Sequence, residues 1–317
     1  MKHSLALATL LTAITLFALS PATAGKIIQE TKRMGDFANR PAPPVSVEAK
    51  REMDSRLAEA RVRYEANPND PDAIIWFGRR LAYPGHFREA IDVYTKGIEK
   101  FPRDARLYRH RGHRYITLRE FALAIGDLKR AAALTKGKLD EVEPDGQPNA
   151  RNVPTGTLQF NIWYHVGLAY YLTGQNNQAL RSYRECLKVS NNPDALVATS
   201  HWLYMTLRRL NRSKEAARVL APIRTGMEII ENDGYYRLLL MYKGLITVDT
   251  LHADALKQGN SAGAHSILYG VGNWHRYNGR HAEARKVFQR ILAEDQWTSF
   301  GYIASEADAK RPARSNR

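Results

Sequence analysis

Residues 160–193 read FNIWYHVGLAYYLTGQNNQALRSYRECLKVSNNP, and the spacing within them decides the fold. Trp163, Gly167, Tyr170, Gly174, Ala179, Tyr183 and Cys186 set large residues against small ones along this stretch. The arrangement recurs elsewhere. Gly78 and Gly112 lie 34 residues apart, as do Phe87 and Phe121, Ala90 and Ala124, and Ile91 and Ile125. Pro102 pairs with Pro68 at the same interval, and Leu268, Gly272, Gly279, Ala284 and Phe288 form a further copy near the end of the chain. A fixed period of this length marks a stacked repeat architecture.

The pattern resembles the tetratricopeptide repeat, in which 34 residues fold as two antiparallel helices. That family places Trp, Leu, Gly and Tyr at positions 4, 7, 8 and 11, and Ala, Phe, Ala and Pro at 20, 24, 27 and 32. The copy at 160–193 fits through Trp163, Gly167, Tyr170, Ala179 and Tyr183, and that at 71–104 through Gly78, Leu81, Ala90, Tyr94, Gly97 and Pro102. The resemblance implies an all-α solenoid, a right-handed superhelix of antiparallel helix pairs. Small residues at positions 8, 20 and 27 let helices approach, and large ones at 4, 11 and 24 fill the space between them. One pair cannot bury its own apolar faces, so the copies must stack.

The frame places two repeats at residues 71–138 and four at 160–298, the fourth and fifth degenerate. In the fourth, Ser200 and Tyr204 replace the expected large and small residues, and Pro222 should end its second helix early. Helices over Tyr235–Gly244 and Thr247–Gln258 are expected in the fifth. Residues 46–70 read as an N-terminal capping helix and 299–317 as a C-terminal cap helix with a basic tail. Residues 139–159 interrupt the array. Pro144, Gly146, Pro148, Pro154 and Gly156 argue against regular structure there, and Asp140, Glu141, Glu143 and Asp145 make the insertion acidic.

The chain begins with Lys2, an uncharged apolar run to Leu19, and the small-residue site Ala22-Thr23-Ala24. This reads as a cleaved bacterial export signal over residues 1–24, followed by a flexible leader over 25–45, and it puts the protein in the periplasm or outside the cell. No later stretch is apolar enough to span a membrane. With one cysteine, Cys186, no intrachain disulfide can form.

The 317 residues carry 47 Lys and Arg against 32 Asp and Glu, a net charge of +15. Residues 71–138 alone hold 15 basic and 7 acidic residues, a net of +8, with the densest run at 106–114. In the family that the pattern resembles, positions 2, 5, 9, 12 and 13 of each repeat commonly face the concave groove. The resemblance therefore implies groove residues Arg79, Tyr83, Arg106, Arg109, His113, Tyr164, Tyr171, Asn273 and Arg276, with Asn161, His201, Arg208, Arg209, Tyr269 and Tyr277 beside them. A groove of this composition suits carboxylates or phosphates. It departs from the Lys–Asn carboxylate clamp of some relatives. Arg111 stands where a buried Leu is expected, so it needs a carboxylate, Asp127 or one in the acidic insertion. The insertion itself is expected to fold back over the basic groove.

Catalytic and cofactor motifs are weak. His110 and His113 sit one helical turn apart, without a third ligand at a diagnostic distance. Gly270-Val271-Gly272 begins a dinucleotide fingerprint, but His275 replaces its third glycine. Cys186 lacks an evident base. No metal, cofactor or enzymatic activity is expected. The expectation is a non-catalytic scaffold holding a partner protein or acidic peptide in the groove; the alternative is an anionic envelope polymer or lipid surface. Export disfavours nucleic acid as the partner of the basic charge.

Overall fold

A computed structural model describes residue 37 and residues 39–311. The expected export signal, most of the leader and the end of the basic tail lie outside the described residues. Fourteen α-helices appear within them: α1 Val47–Ala66, α2 Pro71–Ala82, α3 Phe87–Lys100, α4 Ala105–Thr117, α5 Phe121–Thr135, α6 Leu158–Leu172, α7 Asn176–Lys188, α8 Pro193–Arg209, α9 Ser213–Val219, α10 Asp233–Tyr242, α11 Val248–Lys257, α12 Ala262–Tyr277, α13 His281–Leu292 and α14 Phe300–Ala309. Helices α2 to α13 pair as six hairpins, and the first helices of successive hairpins also touch one another.

Local chemistry explains where the hairpins begin and turn. Five of the six first helices start on a capping side chain: Asp70, Asp104, Thr157, Asn192 and Ser261 each accept a hydrogen bond from an amide two or three residues on. Every hairpin turn contains a residue in the left-handed region: Gly85, Arg119, Gly174, Asn211, Gly244 or Gly279, with φ from 59° to 101°. The next amide then reaches back five residues, as from His86 to Leu81 O and from Gln175 to Tyr170 O. This closure satisfies carbonyls that the helix end would leave bare.

The small and large positions meet as the repeat pattern requires. A Cβ added at Gly78, Gly112, Gly167 or Gly272 would stand 2.4–2.8 Å from the side chain sixteen residues on, Tyr94, Leu128, Tyr183 or Phe288 respectively. Cys186, at position 27, is fully buried, with its thiol against Thr199 Oγ1 (3.2 Å). Burial pushes that thiol up to about 12, which keeps it protonated and packed.

Gly167 gives a direct test of this register. Gly167→Leu gains about 0.8 kcal/mol of helix propensity, yet it must displace the buried Tyr183 ring at about 1–3 kcal/mol or more. Thermal melting should show a net loss of stability. An unchanged melting temperature would exclude the close approach of α6 and α7.

The degenerate repeats behave as their sequences require. Helix α9 stops at Val219, ahead of Pro222. Tyr204 fills the fourth hairpin's small position, and its ring stacks on Tyr242 at 4.2 Å. Helices α10 and α11 lie within two residues of their expected ends.

The ends of the chain do more than cap. Helix α1 buries no residue of its own and touches the array through Tyr64, stacked on Phe77 at 4.9 Å. Helix α14 packs on α12 and α13 and also reaches α6. Trp297, just before α14, sits edge-on against Phe87 of the first repeat at 5.7 Å, and its indole N–H donates to Pro41 O (2.7 Å). The hydroxyls of Tyr269 on α12 and Tyr171 on α6 lie in hydrogen-bond contact (3.0 Å). The array thus curls until its last repeat meets its third and its C-terminal segment meets its first.

Arg119 fastens this closure. It adopts the left-handed conformation at φ 65° without being glycine, at a cost of about 1–2 kcal/mol. Its guanidinium, 1% exposed, pairs with Glu306 Oε2 at 2.9 Å, donates to Trp297 O at 2.8 Å and lies 4.2 Å from the Phe37 ring centre.

Candidate functional site

The expected groove residues divide into three groups. Arg79, Tyr83, Arg106 and Arg109 lie on α2, its C-terminal end and α4, and the acidic insertion crosses them. Glu143 forms an ion pair with Arg109 at 2.8 Å, with the two side chains only 10% and 9% exposed. Arg80 donates to Gly146 O (2.7 Å), and Gly146 lies so close to Tyr83 and Arg79 that a Cβ there would overlap the Tyr83 hydroxyl. The far side of the insertion is tied to the segment before α10. Asn149 Nδ2 and Thr155 Oγ1 both donate to Glu231, at 2.6 and 2.7 Å, and Arg151 pairs with Glu228. One antiparallel bridge, Val142–Thr157, holds the two arms of the loop together.

Beneath the loop remains a cavity of about 230 Å³, lined among others by Trp76, Arg79, Arg106, His110, Glu141 and Glu143. Arg79 lies 4.5 Å over the Trp76 ring. Arg106 pairs with Asp72 (2.6 Å) and Asp104 (2.7 Å), and the Asp104 hydrogen bond holds its guanidinium above the usual range. Burial lowers the Arg109 pKa, and the Glu143 charge opposes that. Burial, then the Arg109 charge, holds His110 neutral well below its usual range. Three buried polar atoms at the crossing have no hydrogen-bond partner among the described residues: Arg109 Nε, Glu143 Oε2 and Asp145 Oδ2.

The second group is withdrawn from the groove, which corrects the expectation drawn from repeat positions. Tyr164 is 6% exposed; its hydroxyl accepts from Trp202 Nε1 (2.8 Å) and contacts that of Tyr235 (3.2 Å). Tyr171 and Asn273 are buried. Arg209 lies 4.0 Å over the Tyr171 ring, and Asn273 donates to Tyr269 O (3.0 Å). His113 faces the His165 ring at 4.5 Å and Phe300 of α14 at 5.5 Å. The inward curl and α14 fill the space into which these side chains were expected to project. His201 and Tyr269 are buried in the same layer, whereas Asn161 is half-buried beside Gly156 of the insertion.

The third group, Arg208, Arg209, Arg276 and Tyr277, sits at the turn edge rather than on the inner wall. Asp308 accepts there from Arg209 Nη1 (2.9 Å) and from Tyr269 Oη (3.0 Å), and pairs with Arg276 (3.5 Å) and Arg311 (2.9 Å). Burial would raise its pKa, but Arg209 and the other guanidiniums hold it below the usual carboxylate range.

Arg111 takes the first of its two expected partners. It holds Asp127 through Nε (2.7 Å) and Nη2 (2.8 Å), so it is structural. Arg119, Trp297, Glu306 and Asp308 were not singled out in the sequence. The only local sign was an arginine, Arg119, where other hairpin turns carry Gly or Asn.

Helix pairs in 34-residue register, with glycine against a large side chain in four of them, define a TPR-like α-solenoid. In keeping with this, residues 160–193 match the family model described as Tetratricopeptide repeat. The human protein Tetratricopeptide repeat protein 13 is 29% identical over 121 residues, which is 38% of this chain and 12% of that protein's length. Among solved structures, YrrB, described as a TPR protein with an unusual peptide-binding site, is similar at 15% identity and a TM-score of 0.42, over 80% of this chain and 98% of that one. MamA is similar at 17% identity and a TM-score of 0.42, over 56% and 91%. The TPR-like repeats of a Podosopora anserina putative kinesin light chain are similar at 13% identity and a TM-score of 0.42, over 77% and 99%. Proteins of this repeat class generally mediate protein–protein interaction.

Proposed function

We propose that the chain is a non-catalytic scaffold that binds an acidic, extended segment of a partner protein in the groove of its first two repeats. The observation that carries this reading is Glu143 on Arg109. The chain's own acidic loop runs over Arg79, Tyr83, Arg106 and Arg109, as a bound acidic peptide would. A guanidinium groove selects carboxylates through charge-assisted hydrogen bonds. The three unpartnered polar atoms at the crossing cost about 1–3 kcal/mol each if they stay unsatisfied, which favours exchange for a better-fitting guest. A loop of the same chain competes at millimolar effective concentration. The apparent affinity of the intact protein is therefore weakened by its own insertion. If residues 1–24 export the chain, the partner is an envelope or extracellular protein of a bacterium.

The test uses the loop as its own probe. A fluorescein-labelled peptide with the sequence of residues 140–146 is titrated into protein whose residues 141–153 are replaced by a glycine–serine linker of equal length. Binding is expected, stronger than to the intact chain, and Arg109→Ala in the same background should weaken it about tenfold or more, the value of one buried charge-assisted bond. Absence of binding to the linker variant would refute the groove as a peptide site.

A further inference from the structure

A second concavity lies away from the loop-covered groove. It is a cleft of about 1030 Å³ at the turn edge of the third, fourth and sixth hairpins, closed on one side by the end of α14. Five arginines, Arg208, Arg209, Arg276, Arg285 and Arg311, and one carboxylate, Asp308, line it. Five positive charges against one negative leave four uncompensated in the lining. They converge from α8, α12, α13 and the second residue beyond α14.

A solvated basic surface keeps its charges apart. Here Asp308 is already shared by three of the arginines, Arg209, Arg276 and Arg311. Among the described residues Arg208 bonds only neutral oxygens, Tyr204 Oη at 2.9 Å and Tyr277 O at 3.2 Å. Neither Arg208 nor Arg285 has a carboxylate partner among the described residues. Arg209 Nε is buried and has no partner among the described residues. A cleft of one sign, walled by low-dielectric protein, focuses its potential and concentrates counter-ions.

The charge and shape define the ligand. A single carboxylate brings one negative charge to this site. An oligophosphate brings about three or four on adjacent groups, each with oxygens matched to a guanidinium fork. The volume is at the upper end of the range for small-ligand sites, about 300–1000 Å³, so there is room beyond the phosphates. Tyr277 and Phe288, also in the lining, offer apolar surface to an uncharged part of the ligand. The geometry points to a binding site for a compact oligophosphate ligand in this cleft, separate from the peptide groove and independent of it.

The test is calorimetric titration of the full chain with inorganic tripolyphosphate at 0.15 M salt, with orthophosphate and citrate as comparators. Tripolyphosphate is expected to bind about tenfold or more tightly than either, since further charge-assisted bonds form. Arg285→Glu, at an exposed position with no partner to lose among the described residues, should reduce that affinity about tenfold or more without changing the melting temperature. Arg208→Gln should weaken binding in the same way. Arg109→Ala, in the other groove, should leave it unchanged. No binding of tripolyphosphate, equal binding by Arg285→Glu, or citrate matching tripolyphosphate would each overturn the assignment.

Discussion

Replacing Asp308 with Ala is expected to destabilise the protein by about 3–5 kcal/mol, the loss typical of breaking a buried ion pair on one side only. The Asp308 side chain is 2% exposed and that of its partner Arg209 is 9% exposed. Without the carboxylate, Arg209 stays buried beside Tyr171 and Tyr269 with no counter-charge, while Arg276 and Arg311 lose their one ion-pair partner among the described residues. Helix α14 should detach first. Its amides at 300–309 should lose protection in hydrogen exchange before those of α6 or α12, and the melting temperature should fall. Asp308→Asn keeps the shape and part of the hydrogen bonding, so it should cost less. An Asp308→Ala protein with full protection across α14 would show that the closure does not depend on this carboxylate.

Acidification below neutral pH should destabilise the fold well before ordinary carboxylates titrate. Burial holds His165 and His201 at about 3. Burial, reinforced by neighbouring arginines, also holds His110 and His113 well below their usual 6.5. All four are neutral in the folded chain. The unfolded chain binds a proton at each near pH 6.5, so between pH 6.5 and about 3 it carries more protons than the folded one. Stability is then complete above 6.5 and falls as the pH falls. Each histidine contributes a slope of up to about 1.4 kcal/mol per pH unit. Four together can exhaust a typical stability of about 5–15 kcal/mol within a few units. Urea midpoints should drop steadily from pH 7.5 to 5, and His201→Phe should remove about one proton from the slope. Midpoints that stay level across that range would mean that these rings are not buried in the folded state.

The two grooves show where repeat logic succeeds and where it ends. Gly78, Gly112, Gly167 and Gly272 declare their register because each contact spans sixteen residues and recurs with the period. Pro222 shortens α9 through backbone chemistry that needs no distant partner. Arg111 at an apolar position demanded a carboxylate, and Asp127, on the second helix of the same hairpin, was within reach. Tyr164, Tyr171 and Asn273 were misplaced for the converse reason. Their repeat positions do face inward, but what lies inward depends on how tightly the whole array curls.

The sequence alone therefore determined the helix pairs, their register and the excess of positive charge, because periodic apolar spacing, caps and left-handed turns act within one hairpin. Tertiary structure alone decided which inward-facing side chains remain accessible. Arg40 meets Tyr302 across 262 residues, Arg119 meets Glu306 across 187 and Arg209 meets Asp308 across 99. Such contacts are set by small rotations between hairpins, accumulated over six of them, and no local spacing records that sum.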